Sequence, residues 1–168
     1  MRLLSILLLF VFFAWGEQVS TKPFDAKLPF AMNYDKNSTC VIRQLKVYEE
    51  PRWVAKIALR DGKELYFCSP KSLFEFYHNQ EKWEQAGVKS QKDFIAISVI
   101  DYNTMQPINA KSAYFVYGSR AVSPAGDDLP AFGDKQSAQN FADRYSGKRV
   151  FGFEQVSDAL IRLLNGKI

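Results

Sequence analysis

The chain is poor in the residues that build most metal and catalytic centres: one histidine, two cysteines and three methionines in 168 residues. A Ser-His-Asp or Cys-His triad would have to use the single imidazole, His78, and no nucleophile motif accompanies it. There is no C-x-x-C, which disfavours thioredoxin-type redox work. Glycine-rich phosphate loops, paired-histidine zinc motifs and acidic calcium loops are missing as well. The formal net charge is only +4 and lysine and arginine form no block. Nucleic acid is therefore not an expected partner, because its phosphates need clustered cations. No enzyme activity is expected.

Long apolar runs are also lacking. Leu3 to Phe13 is almost unbroken in apolar side chains, but a bilayer span needs roughly 20 such residues. With Arg2 ahead of it and Ala14-Trp15-Gly16 behind, the run has the three parts of a secretory signal. Residues 1–16 are read as a signal peptide, and the protein is expected to be periplasmic, touching a membrane only if that segment stays uncleaved. No cysteine follows the cleavage point, so a lipid anchor has no support. About 150 residues then remain, enough for one domain with a proper core.

Residues 17–39 are polar and aperiodic, with Pro23 and Pro29, and read as a loosely ordered lead-in. From Trp53 to Leu59 apolar residues follow a period of two, which predicts a strand; Asp61-Gly62 predicts a two-residue hairpin turn, and Leu65–Cys68 the returning strand. Ser69-Pro70 opens a helix whose apolar face holds Leu73, Phe74, Phe76 and Tyr77, and Phe94–Ile100 is a buried strand. The order then recurs. Ala113–Tyr117 and Leu129–Phe132 read as strands, and Asp134 caps a helix closed by Gly147. Arg149–Phe153 is a strand, and Ser157–Leu164 a final helix. The expected class is α+β, with two tandem strand–strand–helix–strand units.

Chemistry then rests on Cys40 and Cys68. Cys68 ends a strand one residue before a helix N-cap, where free N–H groups and the positive end of the dipole favour a thiolate. Residue types alone leave three readings open. The pair could form a disulfide, which closing such a loop would make worth about 3 kcal/mol. It could clamp one Cu(I), with thioether sulfur from Met32 or Met105 as a further ligand. It could also be two idle thiols. His78 reads as a solvated helix-end residue, with a lesser claim as a ligand. Asn37-Ser38-Thr39, with Asp35 two residues ahead, is a glycosylation acceptor pattern that makes Asn37 a candidate modification site.

Longer strings carry a family resemblance. Pro51-Arg-Trp-Val-Ala-Lys-Ile57, Asp61-Gly-Lys63, Tyr66-Phe-Cys-Ser-Pro-Lys71, Phe74-Glu-Phe-Tyr77 and Val99-Ile-Asp-Tyr102 resemble the NosL family. So do Ile108-Asn-Ala110, Ala113-Tyr-Phe-Val116, Gly118-Ser119, Ser123-Pro-Ala-Gly126, Phe141-Ala142, Gly147-Lys148 and Phe153-Glu-Gln-Val156. The resemblance covers residues 40–156 and implies an extracytoplasmic protein that binds Cu(I) and helps deliver it to nitrous oxide reductase or another cuproprotein. It also implies a NosL-like domain over 40–168 with two ββαβ-like halves, similar to part of the organomercurial lyase fold, plus the C-terminal helix. Cys40 and Cys68 match family cysteines and are the implied ligands, with Met32, His78 or Met105 as candidates for a third. The family's C-x-x-C-G-M pattern falls on Cys40, with Arg43, Gln44 and Leu45 at its second Cys, its Gly and its Met. Its Pro-Met-Gly falls on Pro124-Ala125-Gly126. The Arg43 charge is expected to acidify Cys40. Two alternatives accompany this reading: a copper-free, Cys40–Cys68 disulfide-linked scaffold acting through protein contacts, and a lyase-like enzyme using the thiols with Asp101.

Overall fold

The computed structural model describes residues 30–167. The signal segment 1–16 and the first part of the lead-in lie outside the described residues. No helix among those described is long and apolar enough to cross a membrane.

The first half runs β1 (Ala55–Leu59), β2 (Glu64–Phe67), α1 (Pro70–His78), β3 (Phe94–Ile100) and β4 (Pro107–Asn109). Its antiparallel sheet has the order β2-β1-β3-β4. The second half runs β5 (Tyr114–Tyr117), β6 (Val122–Ser123), β7 (Gly126–Asp127), β8 (Ala131–Phe132), α2 (Lys135–Arg144) and β9 (Arg149–Gly152), and α3 (Asp158–Leu164) closes the chain. Its sheet has the order β8-β5-β9. Each half thus repeats one plan, a central first strand flanked by the second and third, with the helix between those two in sequence. The expected α+β class with two ββαβ-like halves is what the chain forms. The second half differs by the small β6–β7 hairpin between its first two sheet strands.

Helix starts follow the capping residues. Ser69 Oγ accepts the N–H of Ser72 at 3.2 Å, Asp134 Oδ1 that of Ser137 at 2.8 Å, and Ser157 Oγ that of Leu160 at 3.3 Å. Two turns depart from expectation. The Leu59 N–H bonds the Lys63 carbonyl, so the β1–β2 loop holds three residues, with Gly62 left-handed at φ +87° as the twist of such a loop requires. After α2 the left-handed residue is Ser146, at φ +61°. Gly147 is needed for space instead: a Cβ there would lie 2.6 Å from Val116 Cγ1 and 2.8 Å from the Ala142 backbone.

The halves share a main core, and α2 covers a second, smaller cluster of Val116, Phe132, Ala138, Phe141 and Ala142. Phe74 of α1 meets Phe115 of β5 and Phe153 at ring separations of 5.1 and 4.9 Å. β1 is buried along its whole length, although its alternation predicts one wet face. α1 covers one side, with Phe67 against Phe76 at 5.4 Å. Residues 30–34 cover the other. There Lys56, fully buried, reaches the Ala31 carbonyl and Glu64 Oε1 (2.7 Å), and Tyr34 packs edge-on to Tyr66. The described part of the lead-in is therefore held against the sheet, and Thr39 pairs with Lys46. Sequence pattern misses this because a lysine stem is apolar enough to be buried while its ammonium finds partners.

Candidate metal centre

Where β2 ends at Phe67 the chain passes through Cys68 to the Ser69 cap, so Cys68 is fixed at the junction of strand and helix. Cys40 arrives from a separate loop. The Val41 N–H bonds the Tyr66 carbonyl at 2.9 Å, laying residues 40–42 along the free edge of β2. Bonds from Cys40 N–H to Leu45 O (2.8 Å) and from Gln44 N–H to Cys40 O (2.9 Å) then close a tight turn. The result puts the two sulfurs side by side as free thiols, 0 % and 2 % exposed.

The pair shares its proton unevenly. The hydrogen bond from Cys68 pulls the Cys40 thiol down to about 6; burial opposes this, while backbone N–H groups of Cys68, Arg43 and Ile42 support it. The Arg43 N–H lies 3.4 Å from Cys40 Sγ. Cys68 moves up, first because its proton is held by Cys40, then through burial and the charge on Cys40, with Ser72 Oγ at 3.7 Å working the other way. The pair thus gives up its first proton more readily than an isolated thiol would, and the proton that remains lies between the two sulfurs.

The helix N-terminus, expected to favour a thiolate at Cys68, has little left to offer it. The first N–H groups of α1 are already taken, Lys71 N–H by Asp128 Oδ1 at 2.8 Å and Ser72 N–H by Ser69. Asp128 is buried and also accepts from Leu129 N–H (2.8 Å) and Ser123 Oγ (2.6 Å), yet burial still holds its carboxyl above the usual range. Its charge adds to the upward push on Cys68. No motif announces Asp128; only the β6–β7 hairpin brings it to the helix.

Two of the remaining candidates, His78 and Met105, lie away from the pair. His78 lies at the far end of α1, ten residues and about 15 Å along the chain from Cys68 at helical rise. Its Nε2 pairs with the Val156 carbonyl at 2.8 Å, so it is a structural tie and not the solvated residue expected. Met105 is 37 % exposed on the β3–β4 turn, with β1 and β3 between that turn and β2. Met32 packs half-buried against the main core. Asp101 spends both oxygens on backbone, Oδ1 on Asn103 and Thr104 N–H and Oδ2 on Gly133 N–H at 2.7 Å, which leaves the lyase-like reading without its carboxylate. Asn37 is exposed on a turn capped by Asp35 Oδ1. Among the described residues no three His, Cys, Asp or Glu side chains cluster as a metal site.

Arg43 does not act on Cys40 through its charge. Its guanidinium turns away to Glu75 Oε2 at 2.6 Å and Asn165 Oδ1 at 3.0 Å. Gln44 has φ +58°, a conformation that favours glycine, at the position where the family pattern places one. Leu45 and Pro124, from the two stretches where that pattern places methionine, line one cleft of about 380 Å³ with Lys46, Glu49, Glu50, Val122 and Ser123.

The family model of NosL matches residues 31–161. The chain belongs to the NosL family. The match begins ahead of Cys40, in agreement with the packing of residues 30–39 against the sheet. Among solved structures, the copper chaperone NosL from Shewanella denitrificans superposes with a TM-score of 0.67 at 24% sequence identity. That alignment covers 78% of this chain and 98% of the other, and shows a shared fold. Comparison with curated proteins finds no match.

Proposed function

We propose that this NosL-family protein is a copper(I)-binding accessory protein that takes its cargo between Cys40 and Cys68 and passes it to a cuproprotein by ligand exchange. The adjacent, buried thiol pair carries the reading. Soft thiolate sulfur selects Cu(I), which accepts as few as two such ligands. The hydrogen bond between the sulfurs eases loss of the first proton, which binding of Cu(I) as thiolate ligands requires. No bond-making catalysis is involved. The recipient is nitrous oxide reductase or another cuproprotein, and the site of action is the periplasm, reached through the signal in residues 1–16. Exposed Asn37 is a glycan acceptor in the same compartment.

Titration of the reduced protein with Cu(I) against a competing chelator is the test. One-to-one binding that falls at least a hundredfold in Cys40→Ser and in Cys68→Ser supports the reading; weak binding indifferent to both overturns it. The second reading, a copper-free scaffold, draws support from Arg43, Leu45 and Ala125 standing where the family has sulfur. It requires a Cys40–Cys68 disulfide in protein taken from the periplasm, visible as a two-dalton difference in intact mass on reduction. The same spectrum reports cleavage after Gly16 and any mass added at Asn37.

A further inference from the structure

Both sulfurs are closed off from solvent, so any ion or reagent that reaches them requires something to move. Cys68 is set in the β2–α1 junction and cannot move without unwinding the helix start. Cys40 rides on residues 40–46, a loop held by backbone bonds and by Val41 and Ile42 against the core, and Arg43 is the side chain that ties it by hydrogen bonds to α1 and to the end of α3. The guanidinium pairs with Glu75 on α1, and the same Glu75 oxygen accepts from Asn165 Nδ2 at 3.0 Å, while Lys167 Nζ reaches Oε1 at 3.1 Å. Arg43 also donates to Asn165 Oδ1 at 3.0 Å. The Cys40 loop, the middle of α1 and the C-terminal end of α3 are thereby tied at one carboxylate, with Glu75 only 8% exposed. An ion pair so sheltered resists screening more than a surface pair does.

We infer that Arg43 is a latch: its pairing with Glu75 and Asn165 holds the 40–46 loop shut over Cys40 and Cys68, and release of that pairing sets how fast the sulfurs can be reached. Arg43 is a positioning residue, since its side chain touches neither sulfur. The arm of the test that uses copper rests on the function proposed above; the arm that uses a thiol reagent does not.

The decisive measurement is the rate of iodoacetamide alkylation at Cys40 and Cys68 separately, by peptide mass, in reduced, metal-free, full-length protein at fixed pH. Arg43→Met keeps the apolar stem and leaves Glu75 with Asn165 and Lys167. It is expected to speed alkylation at both cysteines at least tenfold. Glu75→Gln should do the same, and the double variant no more than either single one, because one latch is being opened. Rates within twofold of the parent overturn the inference. Should Arg43→Met fail to unfold cooperatively, Arg43→Lys, which keeps the charge and loses the fork, takes its place with the same criterion. Release of bound Cu(I) to excess chelator should quicken by a similar factor. A protein that holds no Cu(I) at all overturns the proposed function and leaves alkylation to decide the latch.

Discussion

The two halves place different chemistry at the same point of the same plan. β2 ends in Phe67-Cys68 ahead of the cap Ser69; β8 ends in Phe132-Gly133 ahead of the cap Asp134. In the first half the intervening residue is a thiol facing Cys40. In the second it is a glycine whose N–H donates to Asp101, and a Cβ there would already sit 3.4 Å from that carboxylate. The strand-to-helix junction is therefore a general device for fixing one residue rigidly. What it does depends on that residue and on what the neighbouring segment lays against it.

Converting the first junction into the second is the sharpest way to break the comparison. Cys68→Gly should abolish tight Cu(I) binding, by at least a hundredfold in the chelator titration. It should also move the pH of half-maximal Cys40 alkylation from about 6 up toward the ordinary thiol value of 9.0, since the largest cause of the depression is removed. A smaller loss is expected from the second half alone. Gly147→Ala pushes a methyl against Val116 and the α2 backbone, and denaturant unfolding should register about 2 kcal/mol, with copper titration unaffected.

The least effect separates the two caps. Ser69→Ala should cost about 1 kcal/mol at neutral pH, the worth of a hydroxyl cap on the Ser72 N–H, read from denaturant unfolding. The cost of Asp134→Ala should depend on pH. Hydrogen bonds from Ser137 hold its carboxyl below 3.8, so the cap's contribution is present above that pH and fades as pH falls through the lowered value. Stability of Asp134→Ala and of the parent, measured from pH 6 down to about 2, should converge as the cap carboxyl of the parent is protonated.

Much of the architecture was legible from local signals. Ser69, Asp134 and Ser157 marked helix starts because a cap satisfies nearby N–H groups within one turn, and Phe94–Ile100 announced a strand through β-branched content. The repeat was visible because the same local signals recurred in the same order. The centre was legible only in its two cysteines. What surrounds Cys68 was not legible, since Asp128 and Cys40 reach it from segments remote in sequence. Arg43 was misread for the same reason: its partners lie on α1 and α3.

Sequence by itself determined the elements, their order in two matching halves, and the scarcity of sulfur that confines any soft-metal chemistry to Cys40 and Cys68. Those are properties of nearest neighbours and of composition. Only the tertiary structure decided that the two thiols meet, that they share a hydrogen bond, and that a salt bridge ties the Cys40 loop to α1. Electrostatics and access depend on distances through space, and the residues that set them come from four separate stretches of chain.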